Sequence, residues 1–338
     1  MKRSMKNWIE DLKEQKERSA LPILAFPAVS LLGVTVGEII ADSELQAEGM
    51  RLIAERTRAA AAVSFMDLSV EAECFGARIH FGDGEVPTIT GRLIHSLEEA
   101  EALSVPEVGT ARSGLYVEAV KKAKERITDR PVFAGMIGPF SLAARLSDVS
   151  EIMMDCYDDP DAVTVLVERA TEFLVRYALA YKAVGADGIM IAEPVAGMLS
   201  PALEEEFSSP YVKRIVEAVQ DDGFLVIYHN CGDNTPRMLD SILSIGAAAY
   251  HFGNAVDMEE MLRRIPADTV VMGNVDPAGI LCLGSREDVR RETERLLALT
   301  ERYPNLVVSS GCDIPPRTPW ENVDAFFGAV EAYNGRNA

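Results

Sequence analysis

The chain has 338 residues, 48% of them hydrophobic, 25% charged and 7% aromatic, with 24 Gly and 17 Pro, a composition that excludes a disordered or low-complexity protein. Its 53 Asp plus Glu against 33 Lys plus Arg leave a formal net charge of -20, so nucleic acid and anionic membrane surfaces would be repelled over most of the molecule. The length suits one large α/β domain or two smaller ones and can bury a sizeable core.

Residues 1–20 are dense in Lys, Arg and Glu and lack the apolar centre of a secretory leader. Trp8, Ile9 and Leu12 recur at helical spacing, which predicts a short amphipathic helix, an N-terminal extension packed on a domain over 21–335. The apolar stretch from Leu21 to Val36 is broken by Pro22, Pro27 and Gly33 and is too short to cross a bilayer. Short apolar runs then alternate with longer helical patterns. Strands are predicted at 21–26, 61–66, 132–136, 188–192, 224–228, 247–252, 269–272 and 306–309. Helices are predicted over 161–184, opened by Asp158-Asp159-Pro160, and over 286–302, opened by Ser285 with Asp288 as a capping box. Residues 74–106 read as an irregular excursion with a hairpin around His80 to Gly84.

Eight strands alternating with helices predict a single (β/α)8 TIM barrel. A doubly wound sheet would carry a Gly-rich phosphate turn after its first strand, where this chain has Phe26-Pro-Ala-Val-Ser30. No internal repeat or linker divides the chain. The 5 cysteines are odd in number and scattered, which predicts free thiols in a reducing, cytoplasmic compartment.

In such a barrel the active site sits at the C-terminal ends of the strands, so the residues that follow each strand matter most. They are Asp67, Glu71 and Glu73, then Gly138-Pro139, Glu193-Pro194, His229-Asn230-Cys231-Gly232, His251 to Asn254, Gly273 to Pro277, and Gly311-Cys312-Asp313. Residues two apart on a strand face the same side, so His229 and Cys231 can meet one ion, with Cys312 reaching in from the last loop. One imidazole and two thiolates suit Zn(II) with a position left open for substrate, and Glu193 is the nearest carboxylate for a fourth ligand. From spacing alone, two structural cysteines and a hydrogen-bonded histidine fit equally well. Cys156 and Cys282 read as packing residues, and Cys74 as either packing or site. Asp67, Glu71 and Glu73 read as acid/base groups, substrate anchors or a solvated loop. Asn274 and Asp276 fit a turn before a helix, and His251 reads as a proton donor, a ligand-binding group or a satisfied structural histidine. His80 and His95 lie in the excursion and belong to no constellation.

Gly135-Met-Ile-Gly-Pro-Phe140, Gly185-Ala-Asp-Gly188, His229-Asn-Cys-Gly232, Gly273-Asn-Val-Asp-Pro277 and Ser310-Gly-Cys-Asp-Ile-Pro-Pro316 resemble the uroporphyrinogen decarboxylase superfamily over about Leu21 to Tyr333. The resemblance implies the (β/α)8 fold and one of two chemistries. The decarboxylases hold a polycarboxylate tetrapyrrole through an Arg-rich N-terminal motif, and this chain instead reads Ala25-Phe-Pro-Ala-Val-Ser-Leu-Leu-Gly33 there, with no guanidinium to grip carboxylates. The corrinoid-dependent methyltransferases of the methylcobamide:coenzyme M type carry a His-x-Cys and distant-Cys zinc site, matched by His229, Cys231 and Cys312. That likeness implies Zn(II), methyl transfer between a corrinoid and a thiol such as coenzyme M, and a separate small corrinoid protein, since no Asp-x-His-x-x-Gly cobalamin signature is present. On this reading the strand-end positions give catalytic duties to Glu193, Asp67 and Glu71 and substrate contacts to Asn254, Asn274 and His251, with Arg145, Arg237 and Arg317 the nearest candidates for a sulfonate anchor. The natural donor and acceptor, the direction and the oligomeric state stay open. A tetrapyrrole decarboxylase is the alternative.

Overall fold

The structure, a computed structural model, describes residues 4–14, 17–82 and 84–337. Seven parallel strands form one sheet: β1 (Ala62–Val63), then β4 (Val132–Ile137), β5 (Gly188–Ala192), β6 (Leu225–Asn230), β7 (Ala249–Phe252), β8 (Val270–Val275) and β9 (Leu306–Ser310), in that spatial order. The intervening β2 (Arg78–His80) and β3 (Thr88–Thr90) make the antiparallel hairpin expected in the excursion. Asp83, within the stretch where that hairpin was placed, lies outside the described residues, as do Met1 to Arg3 and Gln15–Lys16 of the predicted extension.

The eighth member is the segment after Ser19. Ala20 bridges in parallel to both Ala59 and Val308, with Leu21 N donating to Val308 O at 2.9 Å and Ala60 N donating to Ala20 O at 2.8 Å, which closes the barrel. The strand expected over 21–26 is reduced to this bridge. Pro22 has no N–H to give a ladder, and Ile23 N turns to the Ser310 hydroxyl at 3.0 Å. The run expected over 61–66 is regular only at Ala62–Val63, although Ser64 N still reaches Phe133 O at 2.9 Å.

Parity along the strands sorts the core into two layers. Leu225, Ile227, Ala249, Val270, Met272, Val307, Met190 and Phe133 cluster together inside the barrel, joined by Met5, Ile9 and Leu12 of the N-terminal helix Met5–Glu14. That helix therefore plugs the N-terminal end, with Trp8 and Phe133 ring centres 5.4 Å apart. The other parity faces the surrounding helices. Among these are Pro160–Ala183, capped by Asp159, and Arg286–Leu299, whose Ser285–Asp288 capping box is formed. Following the inward parity toward the C-terminal end, apolar residues give way to His229, His251, Asn274 and Ser309, so the barrel is dry at its base and polar at its mouth.

Candidate metal centre

His229 is the last inward-facing residue of β6, and Cys231 follows two residues on, just past the strand. Their ligand atoms and that of Cys312, from the loop after β9, all lie within 4.8 Å of one another. Two close contacts bring the loops together. A Cβ at Gly253 would stand 2.6 Å from Cys231 Cα, and one at Gly311 would stand 2.6 Å from Asn254 N, so glycine at both positions lets the backbones after β6, β7 and β9 touch. Asn230, wholly buried, anchors the His229–Cys231 turn. Its Oδ1 accepts from Gly232 N at 3.0 Å, and its amide donates to the Tyr228 hydroxyl at 3.1 Å. Sequence reading passed over Asn230 because an Asn between two ligands carries no periodic or charge signal.

The donor set fits a metal on two counts. His229 Nε2 is buried with no hydrogen-bond partner, while Nδ1 is engaged with His251. An unpaired ring nitrogen in a buried site is costly unless something else takes its lone pair. The two thiols share a proton: the hydrogen bond from Cys312 pulls Cys231 down to about 7, and the same bond together with burial pushes Cys312 up to about 12. One thiol of the pair thus gives up its proton near neutral pH, and a soft divalent cation bound there would displace the other's.

The other predicted residues take different places. Glu193 follows Ala192, which faces inward in register with His229, so Glu193 falls on the opposite parity and points away from the cluster. Its carboxylate accepts from Phe140 N at 3.0 Å, Ser141 N at 2.9 Å and the Ser141 hydroxyl at 2.6 Å, filling the N-terminus of the helix Pro139–Ser147. Burial pushes it up to about 7 against those hydrogen bonds. The fourth-ligand reading is thereby corrected: both oxygens are occupied elsewhere. His251 is also not at the cavity surface. It is fully buried behind His229, its Nδ1 2.8 Å from His229 Nδ1 and its Nε2 2.8 Å from the Ser309 hydroxyl, and burial lowers its pKa well below the usual histidine range. Asn274 donates to Gly253 O and Val256 O, both at 2.9 Å, and so ties down the loop after β7. Asp276 caps the turn that follows β8, accepting from Ala278 N and Gly279 N at 2.9 Å each. Asn254 stands exposed at the mouth.

Asp67 is clamped rather than free. It accepts from Arg112 at 2.5 Å, from Ser69 N at 3.0 Å and from the Tyr116 hydroxyl at 3.2 Å, while Arg112 also grips Glu73 at 2.7 Å. Glu71 is buried, with one oxygen accepting from Ile137 N at 3.0 Å and the other unpartnered, and burial pushes it up to about 7. Arg145 is half-buried near Asp67 and Glu71, and its Nε has no partner, whereas Arg237 and Arg317 are exposed. Cys74 and Cys156 are buried thiols pushed up to about 11 and about 12 by burial, as packing residues would be.

Glu71 gives a pH signature. A folded value near 7 against an ordinary carboxylate value near 4.5 means the native state holds the extra proton between those limits, so its contribution to stability falls as pH rises through that window. Glu71→Gln keeps the oxygen that meets Ile137 N and removes the ionisation. The variant is expected to match wild type in urea unfolding at about pH 4 and to exceed it at about pH 8 by up to about 3 kcal/mol. Parallel stability curves across this range would show that Glu71 ionises without penalty.

A (β/α)8 barrel with a histidine and two cysteines gathered at its C-terminal mouth defines the class, and the chain belongs to the uroporphyrinogen decarboxylase (URO-D) family, whose model matches residues 24–333. It is therefore an enzyme-family member whose particular likenesses can be named. It is 29% identical over 271 residues to the methylcobamide:CoM methyltransferase of Methanosarcina acetivorans, covering 79% of this chain and 78% of that protein. The uroporphyrinogen decarboxylase of a Geobacter species is 28% identical over 268 residues, covering 77% and 76%. A methyltransferase from Methanosarcina mazei superposes with a TM-score of 0.87 over 98% of this chain and 99% of its own, at 24% identity, and shares the fold. No helix among the described residues is long and apolar enough to cross a membrane.

Proposed function

We propose that this chain is a zinc-dependent methyltransferase that moves a methyl group between a corrinoid and a thiol such as coenzyme M. The observation that carries the reading is the His229–Cys231–Cys312 cluster, with its unpartnered imidazole nitrogen and its proton-sharing thiols. Identity of 29% to a methyltransferase and 28% to a decarboxylase does not separate the two chemistries, so the site must. A decarboxylase acting on a polycarboxylate needs guanidinium groups after the first strand, and Ala25 to Gly33 offers none.

His229, Cys231 and Cys312 would hold Zn(II), two thiolates balancing its charge and a neutral imidazole completing the set. Bound there, the ion would lower the pKa of a substrate thiol so that its sulfur is thiolate, and hence nucleophilic, at neutral pH. The chain's own residues do the rest. Glu71, protonated below about 7, supplies a group that can hold or release a proton near the mouth. Asn254 orients the substrate from the loop packed on Gly311, and Arg145, whose Nε has no hydrogen-bond partner, offers a cation to an acidic tail such as a sulfonate. Asp67 and Glu193 act by holding the loops that shape the cavity. The corrinoid arrives on a separate small protein that docks at the C-terminal mouth. Phe81 on the hairpin, Met198 after β5 and Leu283 after β8 stand 52%, 59% and 82% exposed there and suit such a contact.

The test uses methylcobalamin in place of the carrier. Zinc-loaded protein is expected to demethylate it in the presence of coenzyme M, read as loss of the methylcobalamin absorbance, and zinc-stripped protein to do so only at background. Zinc-loaded protein inert toward coenzyme M and a panel of other thiols, yet active on uroporphyrinogen, would replace this reading with the decarboxylase.

A further inference from the structure

We infer that His251 and Ser309 are positioning residues that fix the tautomer of His229, so that Nε2 offers a lone pair, and not a proton, to the metal position. The inference rests on the zinc reading for its purpose but on hydrogen-bond directions for its content. Ser309 Oγ lies 2.6 Å from the carbonyl oxygen of Leu21, which can only accept, so the single hydroxyl proton is committed to Leu21. Ser309 therefore meets His251 Nε2, 2.8 Å away, with a lone pair, and His251 carries its proton on Nε2. That leaves His251 Nδ1 bare. The 2.8 Å contact between the two Nδ1 atoms then needs its proton from His229. A second observation requires the same assignment: His229 Nδ1 is also 3.3 Å from the carbonyl oxygen of His251, again a group that only accepts. A neutral His229 protonated on Nδ1 has its lone pair on Nε2, the buried atom without a partner.

Each member is placed by strand register. His229 and His251 are direct partners across the parallel pair β6–β7, and Ser309 lies on the inward parity of β9. The chain of bonds runs from the barrel-closing segment at Leu21, through Ser309 and His251, to the ring that would carry the ion. In water a neutral imidazole distributes its proton over both nitrogens, and only one of the two forms can bind metal through Nε2. The chain of bonds removes that ambiguity before any ion arrives.

Two measurements decide it. The protein has only 4 histidines, so the imidazoles of zinc-free, 15N-labelled wild type can be assigned by two-bond couplings near neutral pH. His229 is expected wholly as the Nδ1–H form, and in Ser309→Ala as a mixture. An Nε2–H or mixed His229 in wild type would overturn the inference, whether or not the protein binds zinc. For the metal, chelator competition on folded variants is expected to show zinc about ten- to a hundredfold weaker in His251→Leu. His251→Gln, whose amide can accept from His229 and donate to Ser309, should come back to within a few-fold of wild type. A His251→Leu protein that folds and holds zinc as tightly as wild type would also overturn it. Wild type that takes up no zinc would count against the zinc reading alone, and the tautomer spectrum would still decide the positioning role.

Discussion

Wild type is expected to carry about one zinc per chain, and Cys312→Ser to abolish that binding and with it methyl transfer from methylcobalamin. Among the described residues Cys312 is one of three that gather ligand atoms in the cluster, and it comes from the loop after β9. A serine hydroxyl is a harder donor that stays protonated near neutral pH, where the thiol pair already shares a proton across the Cys231–Cys312 contact. Losing one of the two thiolates should weaken zinc by more than about a thousandfold, or roughly 4 kcal/mol. Metal analysis with chelator competition reads it directly. His229→Ala should behave alike, since it removes the sole nitrogen donor. Glu193→Ala provides the contrast: it uncaps the helix Pro139–Ser147, costing about 2 kcal/mol or more in urea unfolding, yet should keep its zinc. Stoichiometric zinc in Cys312→Ser, or its loss in Glu193→Ala, would mean that the ligand set is wrongly drawn.

The barrel was legible in the sequence because its strands are buried on both faces and read as unbroken apolar runs, and β4 to β9 fall within a few residues of the expected positions. The first strand was over-read, since apolar content alone does not reveal that Pro22 cannot join a ladder on both sides. The three donors were legible because period-two spacing and strand ends carry chemistry directly. Glu193 was misplaced for the opposite reason. Which parity continues past the last hydrogen-bonded residue depends on the turn, and here Ala192 takes the inward place. His251 lay in plain view after its strand, but its pairing with His229 is a matter of register between two strands, which one sequence does not specify. The Asp67–Arg112 contact spans 45 residues and crosses the excursion, so only the folded chain brings it together.

That contact underlies the second large effect. Arg112→Ala is expected to destabilise the protein by about 3–5 kcal/mol without removing zinc. The Asp67 side chain is wholly buried and the Arg112 side chain 12% exposed, so bulk water cannot replace the guanidinium when it is lost. The guanidinium spends three of its nitrogens at once: Nη1 on Asp67 at 2.5 Å, Nη2 on the Ser69 hydroxyl at 2.9 Å and Nε on Glu73 at 2.7 Å. It also lies over the ring of Phe81 at 5.2 Å, which ties the hairpin to the loop after β1. Truncation leaves a buried carboxylate hydrogen-bonded to Ser69 and the Tyr116 hydroxyl but without an ion-pair partner in contact, and it releases Glu73 and Phe81 together. Arg112→Lys keeps a charge but cannot reach three partners with one ammonium, so it should fall between wild type and Ala. Urea midpoints at fixed pH check the order, and zinc content checks that the metal centre is untouched. A loss below about 1 kcal/mol in Arg112→Ala would show that Asp67 is hydrated in the native state, and the loop after β1 would then be held by its apolar contacts alone.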